Sequence, residues 1–311
     1  MVWFRIQWTR INRRRRWIKW KKNYSKVLSG QERAKRAIQD WYCFDTCPLL
    51  IFGPSGYGKT AFAENLGAKI VDTTQLRSDR VSSLLKPIKE AEDGDILFFD
   101  EIHSLQPKVL EGLYYIFDKG TFYDPEIGLD LPIPHIKFIF ATNYLNKLPI
   151  AFQTRVKLVE LQNYTEDELK QIINNKYPTL NKDGLESIVK ACKGTPRTAL
   201  RLAGDVISGL KTEKIKDATV DDMNNILNSR FGIDPTTGLS ESEFTIIQKV
   251  CEKGHLSTTA IANTLKLSIK DARDRYINPL QISDWLCVTS KGVVPGFKAY
   301  ESYRLFVKKI K

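Results

Sequence analysis

The stretch Gly53-Pro54-Ser55-Gly56-Tyr57-Gly58-Lys59-Thr60 constrains this chain more than any other. Before it runs Pro48-Leu49-Leu50-Ile51-Phe52, which reads as a buried strand, and after it Ala61 to Leu66, which reads as a helix. Glycines at 53, 56 and 58 let the backbone curl so that successive N–H groups face inward on phosphate oxygens. The start of the following helix adds positive potential at the same place. In such a strand–loop–helix, Lys59 reaches the β- and γ-phosphates of a bound nucleotide and the Thr60 hydroxyl ligates Mg²⁺. The bland alternative, an ordinary glycine-rich turn, does not account for Lys-Thr at the helix start.

The bulk of the chain suits a soluble protein of two or three domains, with 311 residues and 42% hydrophobic content. No apolar run approaches the roughly 20 residues that span a bilayer, and the basic N-terminus lacks the apolar core of a secretory signal. Cys43, Cys47, Cys192, Cys251 and Cys287 are odd in number and scattered, so reduced thiols in a cytoplasmic protein are the expectation. The formal net charge of +12 is concentrated at one end. Residues 1–26 hold ten basic side chains and no acid, including Arg13, Arg14, Arg15 and Arg16, interleaved with Trp3, Phe4, Trp8, Trp17, Trp20 and Tyr24. That mixture suits a nucleic-acid backbone with stacked bases. It also suits an anionic membrane surface, a solvated leader, or a leader created by a misassigned start.

Further along, Ser29-Gly30-Gln31-Glu32 reads as a capping box opening a helix to about Trp41. Lys69 to Asp72 reads as a short strand and 82–92 as a helix interrupted at Pro87. The apolar run Ile96-Leu97-Phe98-Phe99 reads as a parallel strand ending in Asp100-Glu101, followed by a helix over 107–119. Lys137 to Asn143 is a further strand ending in polar residues. Alternating strands and helices predict an α/β domain over 27–163, built on a parallel sheet. From 164 to 231 the pattern is all-helical, opened by a second capping box at Thr165-Glu166-Asp167-Glu168. A turn-rich linker occupies 232–239. In 240–311, a helix capped at Ser240 and running to about Lys253, a second over Ser257 to Leu265 and a third over Ser268 to Asn278 precede a strand–turn–strand around Ser290-Lys291-Gly292, the pattern of a winged helix.

The chemistry gathers where strands end, since open α/β sheets bind ligands at the carboxyl ends of their strands. Asp100 is placed to hold the hydrated Mg²⁺ and Glu101 to polarise an attacking water. Asn143, ending the next strand, is placed to orient that water or touch the γ-phosphate. Arg155 lies twelve residues on, where an arginine can project into a neighbouring subunit's site. Arg197 follows in the helical segment.

These residues resemble an AAA+ ATPase and, more narrowly, the RuvB family, over about residues 27–308. The likeness rests on Gly30-Gln31-Glu32, on Gly94 through His103, on Tyr164 through Leu169, on Gly194-Thr195-Pro196-Arg197 and on Ile277-Asn278-Pro279-Leu280-Gln281-Ile282. It implies ATP with Mg²⁺, Glu101 as the hydrolytic glutamate, Arg155 as a finger in trans and Arg197 as a lid arginine. It also implies a homo-oligomeric ring, six-membered in the family, moving along duplex or four-way DNA with a RuvA-like loading partner and no membrane insertion. The chain departs from the family at Gln153, which replaces the first of two arginines. The stretch between Phe117 and Leu131 is too short for the family's long hairpin, which weakens the RuvA expectation. The wing keeps Lys291 for DNA but lacks its arginine neighbours. The competing function is a clamp- or helicase-loader-like ATPase switch. A protein-remodelling ATPase fits less well, because Thr73 to Val81 lacks the aromatic and glycine of a pore loop.

Overall fold

A computed structural model describes residues 29–73, 76, 81–124 and 127–302. The basic tail, with Arg13 to Arg16, lies outside the described residues, as does most of 73–81. The chain forms two compact units, Met1–Gln162 and Asn163–Lys311.

The first unit is built on five parallel strands: β1 (Leu49–Phe52), β2 (Lys69–Val71), β3 (Ile96–Phe99), β6 (Lys137–Thr142) and β7 (Lys157–Glu160), in the order β2-β3-β6-β1-β7. The three inner strands bury nearly every side chain, as their unbroken apolar runs require. Phe99, Phe138 and Phe140 of the sheet pack with Phe117 and Phe152 at centroid separations of 5.2–6.2 Å, where aromatic rings attract one another. This cluster seats the helices that carry Phe117 and Phe152, α4 (Pro107–Lys119) and α5 (Ile150–Gln153), against the sheet. The remaining helices here are α1 (Glu32–Phe44), α2 (Lys59–Asn65) and α3 (Leu85–Lys89).

Two expectations for this unit change. The first helix is not capped by Ser29; it starts at Glu32, because Gly30 and Gln31 both sit in the left-handed region (φ 76° and 58°). The Gln31 amide instead donates to the Gln162 carbonyl at 2.5 Å and accepts its N–H at 2.9 Å, tying the start of α1 to the end of β7. The expected helix over 82–92 is a 3₁₀ turn, Val81–Leu84, running into the five residues of α3. Pro87 is tolerated only in a first helical turn, so the α-helix begins two residues before it. The sequence also gives no sign of β7, a short edge strand with Leu158 exposed. Residues 121–132 do form a hairpin, β4 (Thr121–Asp124) on β5 (Leu129–Pro132), with only four residues a side.

The second unit opens with α6 (Glu166–Lys176), whose Thr165–Glu168 capping box is present in full. It continues through α7 (Leu185–Ala191), α8 (Pro196–Thr212) and α9 (Val220–Phe231). The turn that follows is folded against α7: a side chain at Gly238 would meet the Lys190 carbonyl carbon at 2.5 Å. Next come α10 (Glu241–Lys253) and α11 (Thr258–Leu265), capped by Ser240 and Ser257. The third helix runs past the expected Asn278 to Ile282, as α12 (Ile269–Ala272), a π turn (Arg273–Ile277) and α13 (Asn278–Ile282). Pro279 explains the π turn: it has no N–H for residue 275, and the wider turn moves its ring off that carbonyl. The hairpin β8 (Leu286–Thr289) on β9 (Gly292–Pro295) closes a core of Ile246, Val250, Leu280, Trp285 and Val293. Among the described residues, no helix is long and apolar enough to cross a membrane.

Candidate nucleotide site

Strand register brings the loop glycine, the Asp100-Glu101 pair and Asn143 to the carboxyl ends of adjacent strands. Phe52 pairs with Thr142 and Phe99 with Phe140, so Gly53, Asn143 and Asp100 leave neighbouring strands side by side. The Gly53 N–H donates to the Thr142 carbonyl at 3.3 Å, extending that register into the loop. Gly53 sits at φ 152°, and a Cβ there would lie 3.1 Å from both Leu161 Cβ and its carbonyl oxygen, so the loop approaches the β7 end as only glycine allows. Gly56 and Gly58 take φ 82° and 91°, Tyr57 is fully buried as the loop's anchor, and Ser55 is exposed. The first α2 hydrogen bond runs from the Phe62 N–H to the Gly58 carbonyl, so the N–H groups of Lys59, Thr60 and Ala61 have no carbonyl within the helix.

Lys59 is buried, and its ammonium donates to the Gly53 carbonyl at 2.8 Å, the Pro54 carbonyl at 2.9 Å and Asn143 Oδ1. Because an ammonium only donates, the Asn143 oxygen must face it. The amide nitrogen then points the other way and donates to Glu101 Oε1 at 2.7 Å. Glu101 is held at φ 50°, a conformation costly for a side chain of this kind, and such strain concentrates at functional positions. The Thr60 hydroxyl donates to Asp100 Oδ2 at 3.1 Å, and Asp100 Oδ1 accepts the Glu101 N–H at 2.9 Å. A hydroxyl and a carboxylate this close offer the hard oxygens that Mg²⁺ selects.

The sequence singled out no role for His103, which follows in the turn after Glu101. Its Nε2 lies 3.3 Å from Glu101 Oε2 and its Nδ1 3.0 Å from Thr142 Oγ1. Tyr144 packs edge-on against the ring at 5.0 Å. Burial pushes the imidazole pKa below its ordinary value, outweighing the pull of Glu101. Only the Gly94–His103 likeness pointed to this residue.

Arg155 does not join this network. Its Nε and Nη2 grip Asp118 at 3.0–3.3 Å, its Nη1 donates to the Ala151 carbonyl at 2.9 Å, and the guanidinium stacks 5.2 Å from the Tyr114 ring centre. The side chain remains about one-third exposed on the flank of α4. Gln153, in place of the family's arginine, turns inward and donates to the Leu145 and Leu148 carbonyls at 3.2 and 2.9 Å, bracing the turn before α5. Arg197 belongs to the second unit, as the second residue of α8, and is exposed. Lys291 is exposed in the two-residue turn between β8 and β9.

Residues 49–164 match the ATPase family associated with various cellular activities (AAA). The Holliday junction branch migration complex subunit RuvB of Nitratiruptor sp. is 31% identical over 277 residues, covering 83% of this chain and 81% of that protein. For RuvB of Ligilactobacillus salivarius the identity is 32% over 170 residues, and there the match spans half of each chain. Among solved structures, the Thermotoga maritima RuvB Holliday junction branch migration motor superposes with a TM-score of 0.71 at 25% identity, over 89% of this chain and 95% of that one.

Proposed function

Because the chain belongs to the RuvB family, we propose that it is a Mg²⁺-dependent ATPase that assembles into a ring and drives duplex DNA through four-way junctions. The observation that carries the reading is the unbroken chain Lys59–Asn143–Glu101, with Thr60 on Asp100, across the ends of three adjacent strands. In this reading the loop from Gly53 through Thr60 cradles the triphosphate, and Lys59 exchanges its loop carbonyls for the β- and γ-phosphates. Bound through Thr60 and Asp100, Mg²⁺ supplies charge neutralisation on those phosphates. Glu101 takes the proton of the attacking water, and Asn143 holds Glu101 and that water in line. A general base placed this way contributes about 10²–10⁴ in rate.

Arg155 completes the site of a neighbouring copy. It is carried on the surface of its own unit, braced by Asp118 and partly exposed, as a residue that reaches outward must be. An arginine acting in trans contributes about 10³–10⁵ in rate, which makes assembly a condition of hydrolysis. Arg197 senses the nucleotide from the helical segment. The 240–311 segment acts as a winged helix presenting Lys291 to DNA, and Arg13 to Arg16 of the tail add phosphate contacts. The test is ATP hydrolysis by the full chain alone, with duplex DNA and with a four-way junction. Stimulation by DNA, strongest with the junction, is expected; hydrolysis indifferent to every DNA offered would overturn the motor reading.

A further inference from the structure

We propose that His103 is a positioning residue for Glu101, and that it does so as the neutral tautomer protonated on Nε2. The inference rests on the reading of Glu101 as the hydrolytic base and deepens it. The tautomer follows from proton accounting. The Tyr144 N–H donates into Thr142 Oγ1 at 3.0 Å, so that oxygen already accepts one bond and has its own hydrogen to give. Thr142 is fully buried, and His103 Nδ1 stands 3.0 Å away as its acceptor. Most buried hydroxyls find one. With Nδ1 accepting, Nε2 carries the ring's hydrogen, and it faces Glu101 Oε2 at 3.3 Å. The opposite tautomer would set a bare nitrogen lone pair against a carboxylate oxygen and leave the threonine hydrogen unplaced.

Glu101 thereby meets a partner at each oxygen from one strand end, a hydrogen bond at Oε1 and the imidazole at ion-pair distance from Oε2. Asn143 donates to Oε1 directly, and Thr142 acts on Oε2 through the imidazole. Two adjacent residues at the tip of β6 thus set the carboxylate's rotation, which offsets the left-handed backbone at Glu101. Any shift of residues 142–144, where Asn143 also meets Lys59, moves both handles together. The site therefore aims its base from the strand that reads the nucleotide.

The experiment is steady-state hydrolysis and ATP-analogue binding by full-length protein carrying His103→Ala, His103→Gln, Thr142→Val, the His103→Ala/Thr142→Val pair, and Glu101→Gln as reference. His103→Ala should lower kcat about 10- to 100-fold, the range that orienting partners of an active group carry, with nucleotide affinity nearly unchanged. His103→Gln, whose amide can donate from nearly the Nε2 position, should recover most of that loss. Thr142→Val should lower kcat in the parent and add nothing in the His103→Ala background. If Glu101→Gln abolishes turnover while His103→Ala leaves kcat intact, the positioning role is refuted and the base survives. Additive losses from His103 and Thr142, or a His103→Gln variant that binds nucleotide normally yet hydrolyses no faster than His103→Ala, also refute it. Full turnover by Glu101→Gln would instead overturn the reading of the base.

Discussion

Replacing Lys193 by Met would loosen the second unit where α7, α8 and the start of α10 meet. Lys193 is 5% exposed, sits at φ 51°, donates its ammonium to the Gly238 carbonyl and lies 3.5 Å from Glu243 Oε2. Met keeps the stem volume and its packing, so the loss is electrostatic. The Gly238 carbonyl loses this partner, at about 1–3 kcal/mol for a buried polar group. Glu243 loses its cation but keeps the Ser240 N–H and hydroxyl at 2.8 and 2.9 Å, which places the cost below the 3–5 kcal/mol of breaking a fully buried pair. Relief from burying an ammonium offsets part of this, leaving a net destabilisation of about 2 kcal/mol, or roughly 4–8 °C in Tm for a unit of this size. Burial holds the Lys193 pKa below its ordinary value against the pull of Glu243. The unfolded chain therefore binds more protons in the alkaline window between the two values, and the site's contribution to stability rises with pH there. Urea denaturation, with hydrogen exchange locating the loss to 190–200 and 236–245, is the assay. Equal or greater stability of the Met variant, with unchanged exchange at both segments, would refute the clasp.

The remaining predictions concern the proposed motor. Mixing Arg155→Ala with Lys59→Ala subunits should restore part of the ATPase that each lacks alone; no recovery at any ratio, in rings shown to be mixed, would place the arginine's action within one subunit. Gln153→Ala should cost about 1–3 kcal/mol of stability by taking the donor from the Leu148 carbonyl, the Leu145 carbonyl keeping the Leu148 N–H at 3.1 Å, and a variant as stable as the parent would contradict the brace. Deleting residues 1–26 should reduce the log–log salt slope of DNA binding by roughly 4–5 units if about half its cations meet phosphates. An unchanged slope would remove the tail from the DNA interface.

The sheet edge was legible because its strands announce themselves: four or more apolar residues ending in Asp100-Glu101 or in Asn143 admit few other readings. β7 left no such mark, since Lys157-Leu158-Val159-Glu160 pairs on one side only and exposes half its residues. Arg155 was found by its place in the chain, but its hold on Asp118, 37 residues away on α4, depends on packing that no local pattern encodes. His103 was hidden for the same reason: its partner Thr142 is 39 residues distant and becomes a neighbour only when β3 and β6 pair. At Gln31 the local reading misled, because a capping signature was overridden by a tertiary clasp on Gln162.

The central claim is that hydrolysis at the Lys59–Asn143–Glu101 site moves DNA. Its most direct test is dissociation of a synthetic four-way junction with homologous arms by the full chain, with and without a RuvA-like protein, comparing parent and Glu101→Gln. The parent should convert the junction to duplex products in an ATP- and Mg²⁺-dependent way, and the variant, which still binds ATP, should yield none. A parent that hydrolyses ATP on the junction yet leaves its arms in place would contradict the motor and favour a loader that uses ATP as a switch.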